Sequence, residues 1–369
     1  MDFNFSDEQK ILLNSAKSFL EKESIKCVRE VEKTQEGYSP QLWKKISELG
    51  WLGVVFPEEF GGINGNFLDL VLLLEEMGKV LFPGPFINTV ISGLSILQYG
   101  NESQKNEILP KLIEGKLILS PALIMPDLAI AKRMIEEEVS LKDRGYILKG
   151  TRLFVPFAHV ADWLIYGADI DKGQTLFLIE AKRSDIIFTP LDSIGSDKTC
   201  EVTLKRVEVA GNSVLGEIGK GEEIVKKINA WAAISHSAFI TGMLEQVLKM
   251  TLEHAKEREQ FEKKIGSFQA IQHQCADMAT DIDQAKFLTY EAAWKLSEGL
   301  PAEKEISMAK AWASDASRRV CLLGVKIHGG VGVSEEHDMQ LYFRRAKAAE
   351  VAFGDGDFHR EIIAQQIGL

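Results

Sequence analysis

The residues with the clearest capacity for chemistry lie in one short stretch of the C-terminal half. Arg258, Gln260 and Phe261 are followed, across a break at Gly266, by Gln269. A cation, an aromatic ring and two amides at this spacing could hold an anionic cofactor that carries a flat ring, because guanidinium groups pair with phosphates and rings stack on rings. The same residues are also typical of a solvated polar loop between two helices.

A glycine cluster is the second candidate binding element. The residues His328-Gly329-Gly330-Val331-Gly332 follow a long amphipathic segment. Paired glycines let a backbone come close to a ligand, but glycine also commonly ends a helix, so both interpretations stay open. No predicted strand precedes the cluster, so it is not a dinucleotide-binding βαβ turn, and a nicotinamide enzyme is disfavoured.

Three regions of different hydrophobic periodicity must position these residues. They predict an α+β fold that is mostly α, with an N-terminal helical domain over 1–119, a small β-barrel or sandwich over 120–221 and a bundle of long helices over 222–369. Ser6 and Ser39-Pro40 mark helix N-termini in the first region. In the third region the helical period predicts long helices and a short tail, over 223–256, 269–298, 303–327 and 361–367.

Composition narrows the class of partner. The chain has 369 residues and a net charge of −11, which argues against nucleic acid because phosphate neutralisation needs a basic face. The four cysteines are scattered without zinc-ligand spacing, so we expect reduced thiols, no disulfides and no metal site. Without a long apolar run or a secretory signal pattern, we expect no membrane span and a cytoplasmic protein.

The order of helices, small β domain and helices, with Arg-x-Gln-Phe and then His-Gly-Gly-x-Gly, resembles the acyl-CoA dehydrogenase family over essentially the whole chain. Further short motifs that are similar to those of the family occur at Pro57-Glu58, Gly61-Gly62, Leu215-Gly216 and Arg345-Ala346-Lys347. The pattern from 332 to 355 looks most like a branch that includes bacterial heterotetrameric dehydrogenases of bulky or dicarboxylic acyl-CoA thioesters.

The resemblance implies an FAD flavoprotein that dehydrogenates an acyl-CoA thioester between its α and β carbons and passes electrons to an electron-transferring flavoprotein. In that family FAD lies across a subunit boundary. The resemblance implies that Arg258 pairs with the pyrophosphate, with Gln260 alongside it. Phe261 and Gln269 would contact the adenosine side, and the turn His328–Gly330 would approach the cofactor. Lys326 stands where the family usually has Gln, and its charge could serve the diphosphate.

The other half of the expected site departs from the family pattern. Where the family carries a Thr-Glu pair and a Gly-Ser-Asp run, the stretch 122–130 is largely apolar, and Phe154-Val155-Pro156 replaces Trp-Ile-Thr/Ser near the flavin. The two positions of the family's catalytic Glu hold Phe353 and Ala232 here. Among the remaining carboxylates Asp355 is the best candidate base, although it could instead cap the last helix.

Three functional hypotheses follow. The leading one is a base-lacking subunit that assembles with a competent homologous chain as an α2β2 complex and completes the partner's FAD site. The second is a homo-oligomeric (homotetrameric) dehydrogenase with a relocated base such as Asp355. The third is a scaffold or assembly factor that keeps the fold without chemistry.

Overall fold

A computed structural model describes residues 5–22, 25–123, 138–142 and 145–369 of the chain. Within these residues it has a helical N-terminal region, two central β-sheets and a C-terminal bundle of long helices. The fold class predicted from hydrophobic periodicity is therefore confirmed.

The N-terminal region is built from helices whose starts are set by side-chain caps. The Ser6 side chain accepts a hydrogen bond from the backbone N–H of Gln9, and Ser39 accepts from that of Leu42, as the sequence predicted. The helices are α1 (Asp7–Leu20), α2 (Ile25–Glu32), α3 (Pro40–Glu48), α4 (Phe67–Lys79), α5 (Phe86–Tyr99) and α6 (Glu102–Ile113).

The central region forms two four-stranded sheets that share one core. The first has the order β1-β4-β5-β8 and the second β2-β3-β7-β6. The ring of Tyr146 meets that of Phe177 edge-on at 5.2 Å, which joins the two sheets. The strands are β1 (Leu119–Ala122), β2 (Glu138–Lys142), β3 (Gly145–Pro156), β4 (Trp163–Ile170), β5 (Gly173–Glu180), β6 (Ile186–Leu191), β7 (Thr199–Ala210) and β8 (Val214–Leu215).

The C-terminal region contains the long helices that the helical period predicted, and one helix that it did not. The unpredicted helix is α10, whose buried face includes the small residues Ala346 and Ala349 and therefore gives a weak periodic signal. The elements are α7 (Gly221–Glu257), β9 (Glu259–Gln260), β10 (Lys263–Lys264), α8 (Gln269–Ser297), α9 (Glu303–His328), α10 (Met339–Val351) and α11 (Gly356–Gln366).

Close packing and a buried ionic cluster fix the N-terminal helices on the bundle. A Cβ added at Gly78 of α4 would lie 2.1 Å from the carbonyl oxygen of Phe239 in α7, so only glycine permits this approach. Lys286 Nζ of α8 lies 2.7 Å from Glu75 Oε1 and 2.8 Å from Glu245 Oε1, which joins α4, α7 and α8. These contacts join α4 of the N-terminal region to α7 and α8, the two helices between which the Arg258 hairpin lies.

The described part of the chain shows no helix with the length and apolarity that a membrane crossing requires. Its His, Cys, Asp and Glu side chains form no cluster of three that could bind a metal ion. Cys200, Cys275 and Cys321 are buried and Cys27 is half-buried, all as free thiols.

Candidate functional site

The stretch that begins at Arg258 forms a short hairpin between α7 and α8. Strands β9 and β10 pair with Gln260 opposite Lys263, and the N–H of Ile265 donates to the carbonyl of Arg258 at 2.9 Å. The two turn residues, Phe261 and Glu262, have φ of 53° and 63°, as in a type I′ turn. This turn leaves the Phe261 side chain 86% exposed. The hairpin therefore leaves an aromatic ring available for contact with a ligand or another subunit.

The cation of this hairpin is available for a ligand. Arg258 is exposed, and no ion pair joins it to a carboxylate in the described residues, whereas Lys264 pairs with Glu259 at 2.7 Å. The side-chain amide of Gln260 donates to the carbonyl of Glu259 at 2.7 Å. Gln269 is exposed at the first position of α8. An anion approaching this surface would meet an unneutralised guanidinium.

The glycine cluster forms the turn that ends α9. Gly329 has φ 66° and ψ −143°, a conformation that favours glycine. A Cβ added at Gly329 or Gly330 would meet nothing within 4 Å, whereas one at Gly332 would lie 2.9 Å from the Cβ of His328. Gly332 is therefore needed for packing, and the backbone of Gly329 and Gly330 faces open space. Lys326, on the last turn of α9, is exposed.

Three histidines connect the hairpin to the glycine turn, and we call them the histidine trio. The ring of His254 stacks on that of His328 at 4.4 Å, and the ring of His337 lies 5.0 Å from that of His328. His328 Nδ1 lies 2.7 Å from the carbonyl of Gly324, so this nitrogen is the donor, whereas His337 Nδ1 accepts from the N–H of Met339 at 3.1 Å.

His254 and His328 are both neutral around neutral pH. Burial lowers the pKa of both His254 and His328, and other positive groups lower it further, Arg258 and His337 acting on His254. The backbone N–H of Arg258 donates to the backbone carbonyl of His254 at 2.8 Å, which ends α7, so the hairpin begins one helical turn after the His254 ring.

The stacking of His254 on His328 links two of the predicted cofactor elements, because His254 lies one helical turn before the Arg258 hairpin and His328 begins the glycine turn. His254 was missed by sequence reasoning, although its position four residues before Arg258 places it one helical turn away on the same face.

The two family positions of the catalytic base lie near each other. Ala232 is fully buried on α7, and one turn later the ring of His236 lies 5.4 Å from that of Phe353. Burial, together with the positive charge of Lys310, lowers the pKa of His236 to about 3. The imidazole is neutral at physiological pH and is a poor proton acceptor there. Sequence reasoning did not identify His236.

The turn that carries Phe353 is held by two buried residues. Lys310 Nζ lies 2.9 Å from the carbonyl oxygen of Gly354, and His359 Nε2 donates to that of Phe353 at 3.1 Å. Burial and the charge of Lys310 lower the pKa of His359 to about 4. The polar groups of this turn therefore orient its backbone, and neither histidine there is charged.

Asp355 is exposed at the start of α11. Its Oδ1 accepts from the N–H of Asp357 at 3.1 Å and from that of Phe358 at 2.9 Å, which makes it the N-cap of that helix. The alternative role considered for Asp355 is thus visible in the structure, whereas a catalytic role stays a prediction.

The β-domain side of the expected site is only partly described. Ala122 and Leu123 are buried, and residues 124–130 of the apolar stretch lie outside the described residues. Phe154 is 53% exposed with φ 56°, at a register shift of β3 against β7. The carbonyl of Pro156 accepts from the Ser120 hydroxyl, and proline has no N–H to donate.

Comparison with protein families identifies the chain. Residues 6–116 match the N-terminal domain of acyl-CoA dehydrogenases and residues 219–368 the C-terminal domain. The chain therefore belongs to the acyl-CoA dehydrogenase family, and the resemblance inferred from its motifs is confirmed. The oxidoreductase class and the flavin cofactor are confirmed with it, at the level of the family.

Individual relatives match over the full length. A probable acyl-CoA dehydrogenase of Bacillus subtilis, YngJ, is 31% identical over 379 residues and covers 100% of both chains. The CarC subunit of the caffeyl-CoA reductase–Etf complex of Acetobacterium woodii is 28% identical, with 98% of each chain covered.

Solved structures give the same fold. Butyryl-CoA dehydrogenase from Megasphaera elsdenii superposes with a TM-score of 0.91 at 30% identity, covering 100% of both chains. A chain of the ChsE4–ChsE5 complex from Mycobacterium tuberculosis has a TM-score of 0.91 at 28% identity, covering 100% of this chain and 99% of that one. PigA, in a structure with FAD and proline, has a TM-score of 0.90 at 26% identity, covering 100% of both chains.

Proposed function

We propose that this chain is a subunit of an FAD-dependent acyl-CoA dehydrogenase that assembles with a base-carrying homologous chain as an α2β2 complex. In this arrangement it extends the Arg258 hairpin and the His328–Gly330 turn across the subunit boundary to the partner's FAD. An electron-transferring flavoprotein accepts the electrons from the complex. FAD supplies the hydride chemistry, and the residues of this chain bind and orient it.

One contrast carries the proposal. The groups suited to a cofactor held by a neighbour are exposed and unneutralised, whereas the positions suited to this chain's own proton abstraction hold Ala232 and Phe353. The imidazole of His236, one helical turn from Ala232 and in contact with Phe353, is neutral because burial lowers its pKa. A subunit with these features can complete a flavin site more readily than it can turn over a substrate.

The exposed surface fits a diphosphate with an adenosine attached. Arg258 and Lys326 supply positive charge, and the open backbone at Gly329 and Gly330 permits close approach. The ring of Phe261 is exposed and can contact the adenine ring of the adenosine. The ChsE4–ChsE5 neighbour is a complex of two differently named chains, and the CarC relative belongs to a complex with Etf, which supports both partner assignments.

Substitution of Arg258 tests the proposal in the assembled protein. The chain is coexpressed with the homologous dehydrogenase chain encoded beside it, and FAD affinity is measured from flavin release on dilution. Arg258→Ala is expected to weaken FAD binding by about 10- to 100-fold, the magnitude of one or two charge-assisted hydrogen bonds. Lys256→Ala, two residues away and also exposed, is the matched control and leaves the affinity unchanged.

The result also addresses the scaffold hypothesis. If no flavin binds with or without a partner, and Arg258→Ala changes nothing, the chain is a scaffold rather than a flavoprotein subunit.

The homo-oligomeric alternative rests on Asp355 and has its own test. Asp355→Asn keeps an N-cap acceptor but removes a base, so loss of acyl-CoA-dependent flavin bleaching with unchanged thermal stability favours the alternative. The heteromeric assignment predicts unchanged bleaching in Asp355→Asn.

A further inference from the structure

The chain between α9 and α10 buries little of its own surface. From Gly329 to Asp338, all of which the structure describes, only Gly332 is buried, and Val331 and Val333 are 53% and 66% exposed. Segments with few buried apolar contacts open locally at a low cost in free energy. The position of this segment, which includes the glycine turn, therefore depends on polar contacts.

Arg29 of α2 supplies these contacts from the other end of the chain. Its Nη1 donates to the carbonyl of Glu335 at 2.6 Å, and its Nη2 donates to that of Glu336 at 3.1 Å. Nη2 and Nε also lie 2.8 and 3.2 Å from Oδ1 of Asp338. A guanidinium is suited to this task because its donors are held in a rigid planar fork. Arg29 thus fixes the segment 335–338 through three acceptors.

Helix α2 is anchored independently of this segment. Val28 is 1% exposed and packs in the apolar core of the C-terminal bundle. Glu32, near the end of α2, lies 3.2 Å from the guanidinium groups of Arg344 and Arg345 on α10. Arg29 lies between these two anchors, so it holds the segment against a helix that is already fixed.

The segment that Arg29 holds is connected to the glycine turn. The ring of His337 lies 5.0 Å from that of His328, the residue that begins the turn. The N–H of His337 donates to the carbonyl of Ser334 at 3.1 Å, and the N–H of Ser334 donates to that of Val331 at 3.1 Å. A displacement of the segment would therefore displace the backbone of the turn, which Arg29 itself does not touch.

We propose, on the basis of the function proposed above, that Arg29 is a positioning residue for the partner's FAD. It keeps the backbone of Gly329 and Gly330 in the conformation that the cofactor requires. The charge of Arg29 is already paired with Asp338, so its effect on FAD comes from geometry and not from attraction to the diphosphate. A binding surface that is correctly formed for only a fraction of the time binds its ligand more weakly by that fraction.

The affinity of the coexpressed complex for FAD tests this role. Arg29→Met removes all the donors of the guanidinium and is expected to weaken FAD binding by about three- to tenfold, measured from flavin release on dilution. Arg29→Lys keeps a positive charge near Asp338, but one ammonium group cannot reproduce the fork that serves three acceptors. We expect an intermediate loss in Arg29→Lys, and this variant carries the test if Arg29→Met does not assemble.

Arg319→Met is the matched control. Arg319 on α9 also forms a two-nitrogen pair with a carboxylate, that of Asp281 on α8, at 2.7 and 2.8 Å. It precedes His328 by nine residues (328 − 319), about 14 Å along the helix. Its substitution removes a comparable ion pair from the same bundle, so the stability falls but the FAD affinity is expected to stay unchanged.

Hydrogen exchange in the chain without cofactor supplies a second measurement. The N–H groups of Ser334 and His337 are hydrogen-bonded within the segment, so they report on its opening. In Arg29→Met these amides are expected to exchange about tenfold faster than in the wild type. In Arg319→Met their exchange is expected to stay unchanged.

Three results overturn the positioning role alone, while Arg258→Ala still weakens FAD binding. They are faster exchange in Arg29→Met with unchanged FAD affinity, an equal loss of affinity in Arg319→Met, and unchanged exchange together with unchanged affinity. If the wild-type complex binds no FAD, the proposed function fails, and the positioning role fails with it.

Discussion

Substitution of Lys310 by Met probes the turn on which the assignment of a missing base depends. Lys310 is fully buried, and its Nζ lies within 3.2 Å of the carbonyls of Ala349, Glu350 and Gly354 and of the Ser314 hydroxyl. Ala349 and Glu350 are in the last turn of α10, where the helix dipole favours a cation. Methionine fills a similar volume but donates no hydrogen bond, so these carbonyls lose their buried donor.

The expected loss in unfolding free energy is about 3–5 kcal/mol, the range found when one member of a buried charged network is removed. A second effect is electrostatic. The positive charge of Lys310 contributes to the low pKa values of His236 and His359, so its removal raises both, although burial still keeps them below the usual value.

Two measurements check these effects. Urea denaturation gives the unfolding free energy, and NMR titration of the imidazole protons gives the histidine pKa values. The matched control is Lys347→Met, because Lys347 is half exposed and pairs with Glu350 at 3.0 Å, an interaction worth about 0–1 kcal/mol. A loss below about 1 kcal/mol in Lys310→Met, with His236 titrating unchanged, would refute this account of the turn.

Two further predictions concern other charged groups. Lys286→Met removes one of the two cations shared by Glu75 and Glu245; the other, Lys79, stays at 3.9 Å from Glu75 and 2.9 Å from Glu245. We expect a loss of about 3 kcal/mol in unfolding free energy at neutral pH, measured by urea denaturation, that shrinks at lower pH as these carboxyls take up protons. FAD affinity of the complex should rise as pH falls from about 8 to 6, because a nearby diphosphate raises the depressed pKa values of His254 and His328; a flat pH profile of the dissociation constant would contradict this coupling.

Local signals in the sequence were sufficient for much of the helical framework. Ser6 and Ser39 cap their helices as predicted, because capping depends on residues only three positions apart. Helix α5 was not predicted: it is apolar on most faces and rich in β-branched residues, so its conformation follows from packing against α6, α7 and β1 rather than from intrinsic propensity.

The cofactor surface was predicted in its residue types but not in its shape. The turn at Phe261 and Glu262 contains neither glycine nor asparagine, the usual residues of a type I′ turn, so no local signal predicted a hairpin there. The histidine trio joins residues that are distant in the chain. Only His254 carried a local signal, its spacing from Arg258 on one helix.

The surroundings of the expected catalytic base were likewise predicted only in part from the sequence. Family resemblance pointed to Phe353 and Ala232, but the contact between His236 and Phe353 depends on how distant parts of the chain pack. Whether Asp355 has a catalytic role stays a prediction, although its capping contacts are now described.

Measuring the flavin content of the purified chain, alone and with its partner, distinguishes the heteromeric subunit from a self-sufficient enzyme. The chain expressed alone is expected to be colourless, and the complex is expected to be yellow, with one FAD for every two polypeptides, and to bleach on addition of a substrate thioester. One FAD per polypeptide in the chain purified alone, with bleaching by an acyl-CoA, would contradict the heteromeric assignment.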